Sequence, residues 1–327
     1  MLGRLTINTG DCTMGGMYDL IIVGGGPAGL SAAINAASEG LKVVVLDSNP
    51  YFGGQAKEST AIENLFGFPN GISGEQLISA SITQTHKFCS DLHCPANVVA
   101  IKKKKGKRVI ITDDGRQYVS SAVILSMGLH YRRLAVEGIG HLMGRGVYYG
   151  YPQYVIKDHC NIAVIGGANS AGQAVVHLSK NEGLSIFLLV RGSIDDKMSR
   201  YLVSEVKKCS NVEILEDCAC LQLIGQEHLT GIMTSKKQRL NVDFLFILIG
   251  GVPKTYWLEG TILLNEKKFI LTYPEIRTGD LKALPYETSM PGVFACGDVR
   301  CGSIKRISAA IGEGASALQM VHLYLER

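Results

Sequence analysis

The sequence predicts an α/β fold with two three-layer units of one kind, each made of a buried strand, a glycine turn, a helix and a second buried strand. Three observations carry that expectation. The same pattern occurs twice, at residues 18–47 and 161–191. The chain has 327 residues, enough for two domains with cores of their own. Its 38 glycines are roughly 12% of the chain against an ordinary usage of about 7%, with no collagen period. Such an excess belongs where backbone must turn tightly or lie close to a ligand.

In the first pattern, Tyr18–Val23 is a run rich in Ile and Val, as suits a strand buried on both faces. Gly24-Gly25-Gly26-Pro27-Ala28-Gly29 follows. A helical stretch over 30–39 is stopped by Gly40, and a second buried strand over 41–46 ends at Asp47. Gly24, Gly26 and Gly29 stand at G-x-G-x-x-G spacing. In such a turn the first glycine makes the bend, the second lets backbone approach a pyrophosphate, and the third lets helix pack on strand. The helix N-terminus holds negative charge, while Asp47 accepts from a ribose hydroxyl. The context predicts a Rossmann-like dinucleotide site for a free 2′-hydroxyl, as in FAD or NAD.

The second pattern repeats this plan. Residues 162–165 read as a strand, Gly166-Gly167-Ala168-Asn169-Ser170-Ala171-Gly172 as the turn, then a helix to about Lys180 and a strand over 185–190. Its end differs, because Arg191 stands where the first unit has Asp47. A basic group there suits the 2′-phosphate of NADP; a solvated strand-end charge is the plainer alternative. Ala168 replaces the second glycine and sets a methyl where backbone would approach a pyrophosphate.

Between the patterns, Val99, Ile101, Val109 and Ile111 alternate around Gly106, with a turn signal at Asp114-Gly115, so a small β-meander is expected. Its lysines (102, 103, 104, 105 and 107) and Arg108 read as a solvated edge, with docking of an acidic redox partner as the lesser alternative. Composition excludes several other classes. At 46% hydrophobic and 19% charged the chain is too apolar for disorder, and a net charge of +4 is too mild to point to nucleic acid. Nine irregularly spaced cysteines argue against a secreted disulfide framework and for a reducing, cytoplasmic compartment. No Cys/His set has metal-ligand spacing. The first sixteen residues lack the apolar run of a signal peptide, and Met14 and Met17 are alternative starts to Met1. The apolar stretch over 20–37 is broken by glycines and a proline, so no membrane span is expected.

Further segments carry a specific resemblance. Gly53-Gly54-Gln55 follows the first unit, and Glu63-Asn64-Leu65-Phe66-Gly67-Phe68-Pro69 comes soon after. Ser126-Met127-Gly128 ends a strand. Near the C-terminus stand Thr288-Ser289-Met290-Pro291-Gly292-Val293-Phe294-Ala295-Cys296-Gly297-Asp298, then Lys305-Arg306-Ile307 and a final helix. With GGGPAGLSAA and GGANSAGQAV, these resemble the low-molecular-weight thioredoxin reductases, of the pyridine nucleotide-disulfide oxidoreductases, across nearly the whole chain from Met17.

The resemblance implies a discontinuous FAD domain at 1–135 and 254–327, an NAD(P)H domain inserted at 136–253, and a homodimer. It implies that Gly24, Gly26, Pro27, Ala28 and Gly29 hold the FAD pyrophosphate and Asp47 the adenosine ribose. Gly54, Gln55 and Asn64 would line the flavin, with Gly128 packed near it. Gly297 and Asp298 would meet the ribityl chain, and the backbone at Arg306 and Ile307 would face the flavin pyrimidine edge. A helix N-terminus there favours the anionic reduced flavin. Gly166, Gly167, Ala168, Asn169, Ser170 and Ala171 would hold NADPH, with Arg191, Lys197 and Arg200 available for its 2′-phosphate. Arg191 is the first choice, since a guanidinium makes bidentate phosphate contacts.

The sequence also departs from that family. Thioredoxin reductases carry a Cys-x-x-Cys before the second glycine turn, one thiol attacking the partner disulfide and the other facing the flavin. Here Gly150 and Gln153 fall at those positions, within Gly146-Val147-Tyr148-Tyr149-Gly150-Tyr151-Pro152-Gln153-Tyr154. GVYY, LLVRGS, MSRYLVSEV and ETSMPGVFACGDVRCGSIKR look like bacterial thioredoxin-reductase-like flavoproteins without the dithiol. Cys296 and Cys301 bracket the Gly-Asp flavin motif and are the candidates for relocated thiol chemistry. Cys89 and Cys94, expected on a helix, and Cys218 and Cys220, expected on one face of a strand, are poorer pairs. His130, His141 and His159 flank the domain junction. The tyrosines at 148, 149, 151 and 154 offer either flavin stacking or core packing.

The resulting expectation is an FAD-dependent oxidoreductase that moves a hydride from NADPH to flavin N5 and electrons onward to an acceptor other than thioredoxin. NADH, or no nicotinamide at all, remains open as the donor. The acceptor is an unnamed small protein or small molecule, with no nucleic acid, metal or membrane involved. Three rivals stand beside it: an enzyme like the ferredoxin–NADP reductases, a disulfide reductase using Cys296 and Cys301, and a non-catalytic flavin-binding redox sensor.

Overall fold

A computed structural model of the chain describes residues 17–59, 62–88, 90–150, 156, 159–276 and 283–327. They form two compact units: the residues up to His130 together with Val252–Arg327, and Tyr131–Gly251.

The first unit opens with β1 (Tyr18–Val23), α1 (Pro27–Ser38) and β2 (Val43–Leu46). Helix α1 begins three residues before the stretch read from periodicity. Pro27 sits at its first position, where the missing N–H has no partner to lose. Helix α2 (Gly74–Lys87) starts with a capping box between Ser73 and Gln76. Four strands follow: β3 (Asp91–His93), β4 (Val98–Lys104), β5 (Lys107–Thr112) and β6 (Gln117–Leu125). The sheet order is β3-β2-β1-β6-β5-β4, parallel through β6 and antiparallel in the β4–β5–β6 meander.

The chain leaves this unit through β7 (Leu129–Tyr131). The second unit holds α3 (Ile139–Leu142), β8 (Val147–Tyr149), β9 (Asn161–Ile165), α4 (Asn169–Leu178), β10 (Ser185–Leu189) and α5 (Arg200–Lys208). It continues with β11 (Val212–Leu215), β12 (Cys220–Ile224), β13 (Gly231–Thr234), β14 (Arg239–Leu240) and β15 (Phe244–Ile247). Its parallel sheet runs β11-β10-β9-β15-β8, beside the antiparallel meander β12-β13-β14. This is the expected α/β architecture, two Rossmann-like units with small meanders.

After β16 (Gly251–Pro253) the chain returns, and β17 (Val293–Ala295) pairs with β6 where β5 leaves it, at Val293 to Val123. The last helix, α6 (Ile307–Leu325), then lies along α1. The approach is close: a Cβ on Gly314 would stand 2.2 Å from the Ala28 carbonyl oxygen. Apolar side chains fill both sheet faces, Leu20, Ile22, Val45 and Phe294 toward the helices and Ile21, Val23, Val44 and Leu125 on the other.

Two local expectations are corrected. Cys218 does not share a strand face with Cys220, because β12 begins only at Cys220. Cys94 is not on a helix, because α2 ends at Lys87 and Asp91–His93 adds a parallel strand to the open edge of β2. The strand wins since its amides and carbonyls complete a ladder that a longer helix would leave unpaired. Cys89, Tyr151, Gln153 and Tyr154 lie outside the described residues.

Candidate functional site

The three fingerprint glycines of the first unit differ in what a side chain would meet. Gly24 has φ +103°, and a Cβ there would stand 2.4 Å from the Ser126 carbonyl oxygen. Gly29 is closed by packing, its Cβ falling 1.9 Å from the Gly24 oxygen. Gly26 has no atom within 4 Å of the Cβ position, so its backbone faces open space. It is also the N-cap of α1 and carries no side-chain cap, which leaves the first-turn amides for an anionic ligand. A turn closed on two sides and open on the third fits a pyrophosphate.

The surrounding segments converge on this turn. Gly53 donates its N–H to the Gly25 carbonyl at 2.8 Å, and a Cβ on Gly54 would stand 3.6 Å from the Gly26 Cα. Ser126 Oγ donates to the Gly24 carbonyl at 2.8 Å, which sets Gly128 two residues beyond the turn. Gly297 packs on the first turn of α1, its Cβ position 2.9 Å from that of Ala28. Arg306 is the N-cap of α6 and also provides no side-chain cap, so the amides from Ile307 onward are open. Lys305 Nζ donates to the Asp298 carbonyl at 2.8 Å. Gln55 and Asn64 are exposed, and Asn64 belongs to a loop closed by paired hydrogen bonds between Ile62 and Ile72.

Asp47 does more than the ribose reading asks of it. It is 6% exposed, and Oδ2 accepts the Gly25 N–H at 2.7 Å. Oδ1 accepts the Asn49 backbone and side-chain N–H groups at 2.8 and 2.9 Å. The carboxylate therefore braces the turn from the end of β2, and a lone pair is left for a further donor. A second bracing residue escaped the sequence reading. Glu313 on α6 accepts the Gly297 N–H at 2.7 Å and pairs with Arg300. Its only signal is an acid in the middle of an otherwise small and apolar helix.

The second unit's turn is built more loosely. A Cβ on Gly166 would meet the Leu248 oxygen at 2.6 Å, and one on Gly172 the Met198 sulfur at 2.6 Å. Ala171 takes the place of the third glycine, with its real Cβ beneath Gly166. Ala168 is the exposed, extended N-cap of α4, again without a side-chain cap. Asn169 is committed elsewhere: Nδ2 donates to Ser199 Oγ at 2.9 Å, and Oδ1 accepts the Ser199 N–H at 2.8 Å. Ser170, Arg191 and Arg200 are exposed. Against the loop that follows β10, at the end of the neighbouring strand, stands a carboxylate the sequence reading missed, Glu216. It accepts the Ile194 N–H at 2.6 Å and the Ser193 hydroxyl at 2.7 Å, which hold it below the ordinary carboxylate range.

The cysteine candidates are not joined. Cys296 is fully buried, and burial together with the nearby Glu313 carboxylate pushes its thiol well above the ordinary range. Cys301 is half-buried and accepts from Asn265 Nδ2 at 3.4 Å. Cys218 and Cys220 are both buried and unpaired, and burial pushes the Cys220 thiol up to about 11. Tyr148 donates to the Gly144 carbonyl at 2.9 Å and Tyr149 accepts the Leu134 N–H at 2.8 Å, both fixing β8. Among the described residues no group of acids, histidines and cysteines could hold a metal ion, and no helix is long and apolar enough to cross a membrane.

Comparison with known proteins gives concordant matches. The sequence profile of the pyridine nucleotide-disulphide oxidoreductase family matches residues 18–314. A 34.2 kDa protein in the rubredoxin operon of Clostridium pasteurianum is 31% identical over 316 residues, 94% of this chain and 97% of its own. A component of the alkyl hydroperoxide reductase of Staphylococcus aureus is 29% identical over 319 residues, 95% of this chain but 59% of its own, so the chain spans little more than half of that relative. The crystal structure of thioredoxin reductase from Streptococcus pyogenes is similar with a TM-score of 0.81 and 27% identity, covering 95% of this chain and 98% of that one.

Proposed function

The chain belongs to the pyridine nucleotide-disulphide oxidoreductase family, whose members are oxidoreductases that use FAD and NAD(P)H, and from that premise we propose that it carries electrons from NAD(P)H to an acceptor other than thioredoxin. One observation carries the choice of acceptor. No two of the nine cysteines stand three apart, so the chain has no Cys-x-x-Cys, and Gly150 and Gln153 fall where the resemblance places one. Without that pair the chain lacks the attacking and resolving thiols that the resemblance assigns to thioredoxin reduction.

In this reading the first unit holds FAD and the second NAD(P)H, in a homodimer. When bound, FAD supplies hydride acceptance and onward electron transfer; the chain supplies binding, orientation and tuning. The open backbone at Gly26 and the uncapped amides of α1 take the pyrophosphate, and Asp47 reads the ribose while bracing the turn. Asp298 and the uncapped amides at Ile307 take the far end, where N–H donors favour added negative charge. No side chain acts as an acid or base.

A second reading narrows the acceptor to a small one-electron protein, as in enzymes like the ferredoxin–NADP reductases. The relative from the rubredoxin operon favours it. The test is anaerobic titration of the purified flavoprotein with NADH and NADPH, followed by addition of oxidised thioredoxin or oxidised rubredoxin. Bleaching of the flavin band that rubredoxin reverses and thioredoxin does not is the expected result. Thioredoxin reduction at ordinary enzymatic rates overturns the proposal.

A further inference from the structure

We propose that Glu216 makes the second unit reject the 2′-phosphate of NADPH, so that NADH is the working donor. This rests on the reading of that unit as the NAD(P)H unit. It runs against the expectation from Arg191, Lys197 and Arg200, and the reason lies in what β11 delivers to the same rim.

The adenosine ribose of a dinucleotide is read where the second strand of the βαβ unit ends. Here that is the end of β10, at Leu189, followed by Val190, Arg191 and Gly192. Strand β11 runs parallel beside it and continues the pairing past its own end. The Val190 N–H donates to the Leu215 carbonyl at 2.9 Å, the Cys218 N–H to Val190 at 2.9 Å and the Asp217 N–H to Gly192 at 3.1 Å. Glu216 is thereby fixed opposite the loop that follows β10.

Three donors of that loop, the Ser193 N–H and hydroxyl and the Ile194 N–H, are already taken by carboxylates. Glu216 Oε1 accepts the Ile194 N–H and the Ser193 hydroxyl, and Asp196 Oδ2 accepts the Ser193 N–H at 3.1 Å. A phosphate entering here would find those three neutral donors occupied and only the basic side chains left to it. It would bring close to two negative charges against an ionised Glu216, with Asp217 next to that residue and Asp195 and Asp196 on the facing loop. Asp195 in turn draws on Lys207 at 3.4 Å. Four acids, Asp195, Asp196, Glu216 and Asp217, thus stand on the two segments that meet at this rim. A free 2′-hydroxyl is different, since it donates, and a carboxylate keeps lone pairs to accept it.

The test compares adenosine 2′,5′-bisphosphate with AMP by titration calorimetry on the full FAD-loaded chain, wild type and Glu216→Gln. The glutamine keeps an oxygen for Ile194 and Ser193, so the loop stays capped and only the charge is lost; thermal melts check this. The wild type is expected to bind AMP more tightly than the bisphosphate. Glu216→Gln is expected to tighten the bisphosphate by about tenfold or more while AMP moves by less than about twofold. Should that variant not fold, Asp196→Asn is the substitute and a smaller change of the same sign is expected. Tighter binding of the bisphosphate by the wild type, or an unchanged ratio in the variants, overturns the proposal. Binding of neither ligand overturns the reading of the unit itself, a distinct result that flavin bleaching by NADH would contradict.

Discussion

Arg300 and Glu313 form a two-point ion pair in the first unit, Nη2 to Oε1 at 2.8 Å and Nε to Oε2 at 3.1 Å. The same Oε2 accepts the Gly297 N–H at 2.7 Å, and the Arg300 guanidinium lies 5.2 Å from the Tyr286 ring centroid. One carboxylate on α6 therefore ties the turn after β17 to the helix whose N-terminus faces the proposed flavin site. Removing it by Glu313→Ala leaves a largely buried guanidinium without its partner. Breaking a fully buried pair costs ~3–5 kcal/mol; with side chains 16% and 11% exposed we expect about 2 kcal/mol. In a unit of this size that lowers Tm by about 5 °C. A melt within a degree of wild type would refute the assignment.

The same pair predicts a pH dependence. Burial alone pushes the Glu313 carboxyl up, but the hydrogen bonds and charge of Arg300 outweigh it and hold the group below its ordinary value. A carboxyl depressed in the folded state stabilises above its unfolded pKa, and that contribution is lost as pH falls through the folded value. The Tm gap between wild type and Glu313→Ala should therefore stay constant through neutral pH. It should begin to close only below about 4.3, the ordinary glutamate value. A gap that already closes between neutral pH and that value would contradict the depressed pKa.

The two glycines of the β1–α1 turn should separate folding from binding. Gly29→Ala forces a methyl against the Gly24 carbonyl, and overpacking of this kind costs ~1–3 kcal/mol. Gly26→Ala meets nothing in the chain, and its φ of −80° suits alanine. It should melt like the wild-type apoprotein yet retain FAD poorly, because its methyl stands where the pyrophosphate approaches. Apoprotein melts and the flavin-to-protein absorbance ratio after gel filtration read the two effects independently. Equal loss of stability in both variants would refute this division of roles.

Legibility in the sequence followed chain locality. The turn at Gly24, Gly26 and Gly29 was readable because its three glycines stand at fixed spacing within six residues. The start of α6 at Arg306 and the end of β6 before Ser126 were readable through the family resemblance their short segments carry. Glu216 was not, since it enters the loop after β10 from a neighbouring strand, and only the sheet order β11-β10-β9 makes it a neighbour of Ser193 and Ile194. Glu313 was hidden likewise, as its partners Gly297 and Arg300 lie in a turn that α6 meets only after the helix docks on α1. Cys94 was misread because the open edge of β2 recruits Asp91–His93, a demand of the sheet that helical periodicity does not contain.

Thiol reactivity tests the rival that uses relocated cysteines. Thiolate is the reactive form, and a thiol raised by burial is both protonated and unreachable. Cys296, fully buried beside Glu313, should resist iodoacetamide in the native protein at mildly alkaline pH, as should Cys220. Cys301, half-buried with Asn265 Nδ2 3.4 Å from its sulfur, should be alkylated before either of them. Peptide mass mapping after timed labelling gives the order directly. Because the proposed electron path uses neither sulfur, protein alkylated at Cys301 should still bleach with NADH and reduce its acceptor. Rapid labelling of Cys296, or loss of turnover in step with Cys301 modification, would return the disulfide reductase to first place.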